Sequence, residues 1–164
     1  MYARETNDLY YSALLPIKKS DVVKGKVAVT MTAQLASLVI SVPFAGINQV
    51  IFHTENKAGI AANIAFYGVG LIIFGLFNLV FLSEFFKTGY RAGNAFIKAL
   101  IPVLIVQILV EVLAHFPGAT WAQNVTNNNW LVQTILLVVG LIIYLILTYT
   151  SFKISVRRFA QVNL

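Results

Sequence analysis

Residues 130–152 read WLVQTILLVVGLIIYLILTYTSF, a run of apolar residues without one Lys, Arg, Asp or Glu. A helix rises about 1.5 Å per residue, so this stretch reaches across a ~30 Å hydrocarbon core. It shows no period-two alternation of the kind a barrel strand needs. In lipid every backbone polar group must be satisfied internally, so the run is a helix. Working back along the chain, three further apolar runs lie at about 27–52, 58–85 and 99–116, again with no Lys, Arg or Asp inside them. The predicted architecture is an all-α membrane protein: a bundle of four transmembrane helices over residues 27–164, preceded by a cytoplasmic amphipathic segment over 1–26.

Composition agrees. Of 164 residues, 59% are hydrophobic and 11% charged, and the mean hydropathy is +0.79. A soluble domain carries about 25% charged residues. A chain of this length has room for one compact unit and no second domain. The net charge of +6 does not signal nucleic acid, because the basic residues flank apolar runs instead of forming one patch with interleaved aromatics. Their distribution encodes orientation instead. Arg4, Lys18, Lys19, Lys24 and Lys26 precede the first run, Lys87, Arg91 and Lys98 fall between the second and third, and Lys153, Arg157 and Arg158 close the chain. The first connection has only Lys57, and residues 117–129, bracketed by Trp121 and Trp130, have no basic residue. This alternation puts both termini in the cytoplasm. The first apolar run starts near Val27, after Glu5, Asp8 and Asp21, which is too late and too acidic for a signal peptide.

Reactive groups are scarce. There is no cysteine, the only histidines are His53 and His115, and the only aspartates are Asp8 and Asp21. An aspartyl dyad, a HExxH zinc motif and a GxSxG elbow are all missing, and Gly25-Lys26 lacks the glycine-rich run of a phosphate loop. No catalytic residue, metal site or cofactor is expected in this chain. Gln107, Glu111 and His115 share one face of the third run, at i, i+4 and i+8. An acid in a membrane helix marks a functional position by default, so the stripe is a candidate pathway contact; the competing reading is a carboxylate near the outer interface paired with His115. Pro43 and Pro102 lie inside the first and third runs, where each removes a backbone donor and predicts a kink. Gly68, Gly70 and Gly75, with Ala33, Ser37 and Ser41, predict close helix approach. Glu84, Lys87 and Arg91 read most simply as solvated charges of the inner connection, the alternative being a second contact to a partner.

The N-terminal segment is the most informative. Thr6, Leu9, Tyr10, Ala13 and Leu14 mark one helical face, and Arg4 and Asp8 can pair at i,i+4. Pro16 should end this helix, and Ser20 or Asp21 should cap a new one running through Val22 and Val23 into the first span. Tyr11 and Leu15 project from the otherwise polar side. Two readings stand: an interfacial anchor held by Tyr10, Tyr11, Lys18 and Lys19, or a docking element for a cytosolic partner.

Glu5-Thr6-Asn7-Asp8 and the stretch Leu14-Leu15-Pro16-Ile17-Lys18-Lys19-Ser20-Asp21-Val22-Val23-Lys24-Gly25-Lys26 resemble the cytoplasmic loop of small bacterial ABC-2-type transporter permeases. The resemblance extends more loosely over the four spans and the basic tail. It implies a multi-pass permease subunit of the cell (inner or plasma) membrane, an exporter driven by a separate ATP-binding subunit that carries ATP and Mg. It also implies a homodimer or heterodimer of permease subunits, and partner-coupling roles for Tyr11, Leu14, Leu15, Pro16, Lys18, Lys19 and Asp21. Such permeases usually have six membrane helices with two ahead of this loop, so the chain resembles the last four, as a truncated frame, a fragment or a shorter variant. The alternative is a stand-alone four-helix membrane protein acting by interaction, such as an immunity or assembly factor.

The alternation of basic connections makes one direct prediction. Because the chain has no cysteine, Ala122→Cys should react with an impermeant thiol reagent added to intact cells, and Ala160→Cys should not. The reverse labelling pattern would invert the orientation.

Overall fold

A computed structural model describes residues 17–52, 62–88, 91–116 and 130–162. The four described elements are helices: α1 (Lys19–Phe52), α2 (Ile64–Thr88), α3 (Ala92–Ala114) and α4 (Trp130–Ala160). All four are long and apolar enough to cross a membrane. The amphipathic helix expected before Pro16 lies outside the described residues.

At the basic end of the bundle the helices run past the apolar stretches. α1 starts at Lys19, several residues before the apolar run, and α4 continues to Ala160, beyond Phe152. α3 starts at Ala92, a full two turns ahead of its apolar run. The physical reason is that apolar length reports where the bilayer lies, whereas a helix continues as long as its hydrogen bonds and side chains allow. The expected cap at Ser20 or Asp21 also shifts. The Lys18 carbonyl accepts the Asp21 amide at 2.8 Å, so both residues lie within the first turn. There the Asp21 carboxylate complements the helix dipole and lies 3.4 Å from Lys24 Nζ. α1 and α3 continue through Pro43 and Pro102.

Packing is uneven. α2 and α4 form the central pair, α3 lies against α2, and α1 rests mainly on α4. The α2–α4 seam is a backbone contact at Gly68 and Gly140. A Cβ on Gly68 would stand 2.6 Å from the Leu136 carbonyl oxygen, and one on Gly140 would collide with the Gly68 carbonyl. Two turns along α2, a Cβ on Gly75 would be 3.0 Å from Tyr144 Cα. Small residues allow this approach, and dispersion over the facing backbones is then the main attraction between helices in lipid. The expectation of close packing holds for Gly68 and Gly75. It does not hold for Ala33 and Ser37, which are exposed.

The basic end has the apolar core. Val23 and Val27 of α1, Leu82 and Phe86 of α2, and Phe159 of α4 form one buried cluster. Phe86 and Phe159 meet edge to face at 5.3 Å, and a stack of Phe77, Phe81 and Phe85 along α2 reaches Phe96 of α3 through Phe77. Such pairs add about 0.5–1.5 kcal/mol beyond simple burial.

Gly68→Ala should therefore cost about 1–3 kcal/mol, the range for over-packing a close contact. Gly25→Ala, with nothing within 4 Å of the new methyl, should be neutral to stabilising by up to about 1 kcal/mol, because Ala is the better helix former. Thermal unfolding of the two variants in the same detergent checks this.

Candidate functional site

Glu84, near the end of α2, ties three helices together. Its carboxylate accepts from Lys98 Nζ of α3 at 2.5 Å and from Arg158 Nη1 of α4 at 2.8 Å. The same Arg158 nitrogen donates to the Ser83 carbonyl at 2.8 Å. The Glu84 side chain is only 18% exposed. The reading of Glu84 as a solvated charge is thus corrected: its two cations come from helices that sequence spacing does not relate to it. Beside this knot, Lys19 Nζ donates to the Val162 carbonyl at 2.8 Å and stands 5.7 Å from the centre of the Phe159 ring. The first residue of α1 is thereby joined to Phe159 of α4 and to Val162 just past its end. Lys18 and Asp21, the other expected coupling residues in the described range, are exposed at the same place. Tyr11, Leu14, Leu15 and Pro16 lie outside the described residues.

A second polar group lies within the apolar body. Gln34 of α1 and Asn78 of α2 form a reciprocal amide pair: Gln34 Nε2 donates to Asn78 Oδ1 at 2.8 Å, and Asn78 Nδ2 donates to Gln34 Oε1 at 2.9 Å. From α4, the Tyr144 hydroxyl donates to Gln34 Oε1 at 3.2 Å and the Thr148 hydroxyl accepts from Asn78 Nδ2 at 3.1 Å. The Ser151 hydroxyl donates to the Asn78 carbonyl at 2.6 Å. Asn78, Tyr144, Thr148 and Ser151 are all buried. Hydrogen bonds between membrane helices contribute about 0.6 kcal/mol on average, with values up to about 1–2. The network is therefore a directional contact of modest strength. Sequence reasoning passed over it because none of its members is charged. The available signal was the spacing of Tyr144, Thr148 and Ser151 on one face of the fourth run, together with Gln34 and Asn78 inside two other apolar runs.

The third-run stripe is placed differently. Gln107 and His115 are exposed and Glu111 is half-buried, on the outside of the described helices. His115 Nδ1 lies 2.8 Å from the Glu111 carbonyl and 3.8 Å from its carboxylate, so the ring is held first by the helix backbone. Glu111, Val112, His115 and Phe116 line an open concavity. Gln107 lies a turn away from that concavity. Among the described residues no group of His, Asp and Glu could hold a metal ion.

Four apolar helices fastened by glycines, an amide network and an ion-pair knot define a polytopic membrane protein that carries no catalytic constellation in its described part. The family model for the ABC-2 family transporter protein matches residues 4–159. The chain belongs to that family, whose members are membrane permeases without catalytic activity of their own. Membership implies an ATP-binding partner. A search of curated proteins and of solved structures finds no match.

Removing the Glu84 carboxylate leaves Lys98 and Arg158 facing each other. A fully buried broken pair costs about 3–5 kcal/mol, but here the cations are 59% and 36% exposed and water screens them. Glu84→Gln should thus destabilise the folded chain by about 1–2 kcal/mol after that screening, and Glu84→Lys by more. Thermal unfolding in detergent at low salt is the measurement.

Proposed function

We propose that this chain is the membrane-spanning half of an exporter, powered by ATP hydrolysis in a separate subunit, with both of its ends in the cytoplasm. It works as a dimer of permease subunits, alike or different. Residues 1–16 form the contact with the ATP-binding subunit, and Lys18, Lys19 and Asp21 continue that contact into α1.

One observation carries the reading. The segment before Pro16 leads directly into a helix whose first turns are bound to the rest of the bundle, through Lys19 on Val162 and through Val23 and Val27 in the core with Phe86 and Phe159. A permease has no nucleotide chemistry of its own, so its partner's motion must enter through a cytoplasmic element that is mechanically continuous with the spans. A push on this segment reaches α1, α2 and α4 together. Tyr11 and Leu15, which helical periodicity alone sets apart from the apolar face of the segment, suit a groove on the partner, where a buried aromatic anchor contributes about 2 kcal/mol or more. Gln107, Glu111 and His115 form a contact for cargo near the outer end of α3, on the membrane-facing side.

Tyr11→Ala together with Leu15→Ala should weaken binding of the ATP-binding subunit at least about tenfold, equivalent to 1.4 kcal/mol, with little change in membrane insertion. Pull-down of the cognate subunit from detergent tests it. Equal retention by wild type and double variant would reduce the segment to an interfacial anchor.

A further inference from the structure

Among its described residues α1 is held to its neighbours mainly in two regions, the basic end and Gln34, with thinner contacts beyond. Of its most apolar window 6% is buried, against 28% for α2 and 22% for α4. The first attachment is the anchor at the basic end, where Val23 and Val27 are buried and Lys19 donates to the Val162 carbonyl. The second is Gln34, whose amide meets Asn78 and Tyr144. Beyond it the contacts thin out: Leu38 approaches Gly70 only to 3.8 Å from where a methyl would stand, and Ser41 reaches Tyr67 at 3.4 Å. Val29, Val39 and Ile40 are each more than half exposed.

These two attachments differ in kind. The anchor is mainly apolar and non-directional, and its one described polar tie, Lys19 to the Val162 carbonyl, is made by a long flexible side chain, so the groups there can slide while staying in contact. The Gln34 contact is directional: its hydrogen bonds weaken steeply once the amides turn out of line. It is either made or broken. Uncharged amides also suit a contact that must part, because separation exposes no unpaired charge to lipid. Asn78 keeps its bonds to Thr148 and Ser151 when Gln34 leaves, so α2 and α4 stay joined.

The geometry points to a hinge and a catch: α1 swings on the Val23–Val27 anchor, and the Gln34–Asn78–Tyr144 contact is the catch that opens and recloses in each transport cycle. Gln34 is thereby a positioning residue for transport. This rests on the reading that an ATP-binding partner drives α1 through its N-terminal segment.

The chain has no cysteine, so Leu38→Cys with Gly70→Cys reports the gap between α1 and α2 while leaving the catch intact. The pair is placed in the full chain, in membranes with the ATP-binding subunit, and treated with a short bifunctional thiol reagent. Crosslinking should be high without nucleotide and fall at least about fivefold with a non-hydrolysable ATP analogue, a shift of about 1 kcal/mol. Adding Gln34→Leu, or the slimmer Gln34→Met, should lower crosslinking without nucleotide, in chains that still elute as folded protein. Crosslinking that ignores nucleotide in complexes still hydrolysing ATP would make the contact a static staple and overturn the proposal. Failure of the ATP-binding subunit to associate would instead count against the coupling reading. In that event the Gln34 variants decide the catch alone, and unchanged crosslinking in both overturns it.

Discussion

The bundle depends on the approach of α2 to α4 at Gly68 and Gly140, where neither residue has room for a single added carbon. In water two apolar helices would be driven together by burial, but in lipid the tails compete equally for apolar side chains. What remains is close packing and interhelical hydrogen bonding, and both need the backbones near each other. Once this seam is closed, Gly75 comes against Tyr144, and Tyr144, Thr148 and Ser151 of α4 come to Asn78 and its partner Gln34. The polar network is a consequence of the glycine contact, since these short side chains reach across only where the helices are close.

Around this rigid pair the other two helices are held by different means. α3 is attached through Phe96 on Phe77 and through Lys98 on Glu84. α1 is attached through the apolar anchor and Gln34. Much of their remaining surface faces outward, as Ile97, Ile101, Leu104 and Ile108 on α3 and Val39 and Ile40 on α1 show. This division suits the hinge proposed for α1. A transporter needs one part that keeps its shape and another that moves, and the helices with fewest contacts are the ones that can move at low cost. The start of α1, the end of α2 and the tail of α4 meet in one joint at the basic end, the end that the proposed orientation turns toward the ATP-binding subunit.

Four spans, their order, and the lack of catalytic chemistry were legible in the residues alone, because transfer into lipid is governed by composition over about 20 positions and needs no knowledge of neighbours. The family resemblance was legible too, in the stretch from Leu14 to Lys26. Helix ends were less so: α1, α3 and α4 outrun their apolar cores because Lys19, Lys98 and Arg158 find partners at Val162 and Glu84. Which helices touch was decided only by the tertiary structure. Gly68 and Gly75 announced a close contact without naming its partner, Gly140 went unread, and the small residues of α1 that looked similar are mostly turned outward. Glu84 looked like a loop charge and is the centre of an ion-pair knot, while Glu111, the more conspicuous acid, lies on the outside of the described helices. The reason is common to all of these. Hydropathy is a property of each segment against a uniform solvent, whereas a contact between two helices depends on rotation and depth that no single segment encodes.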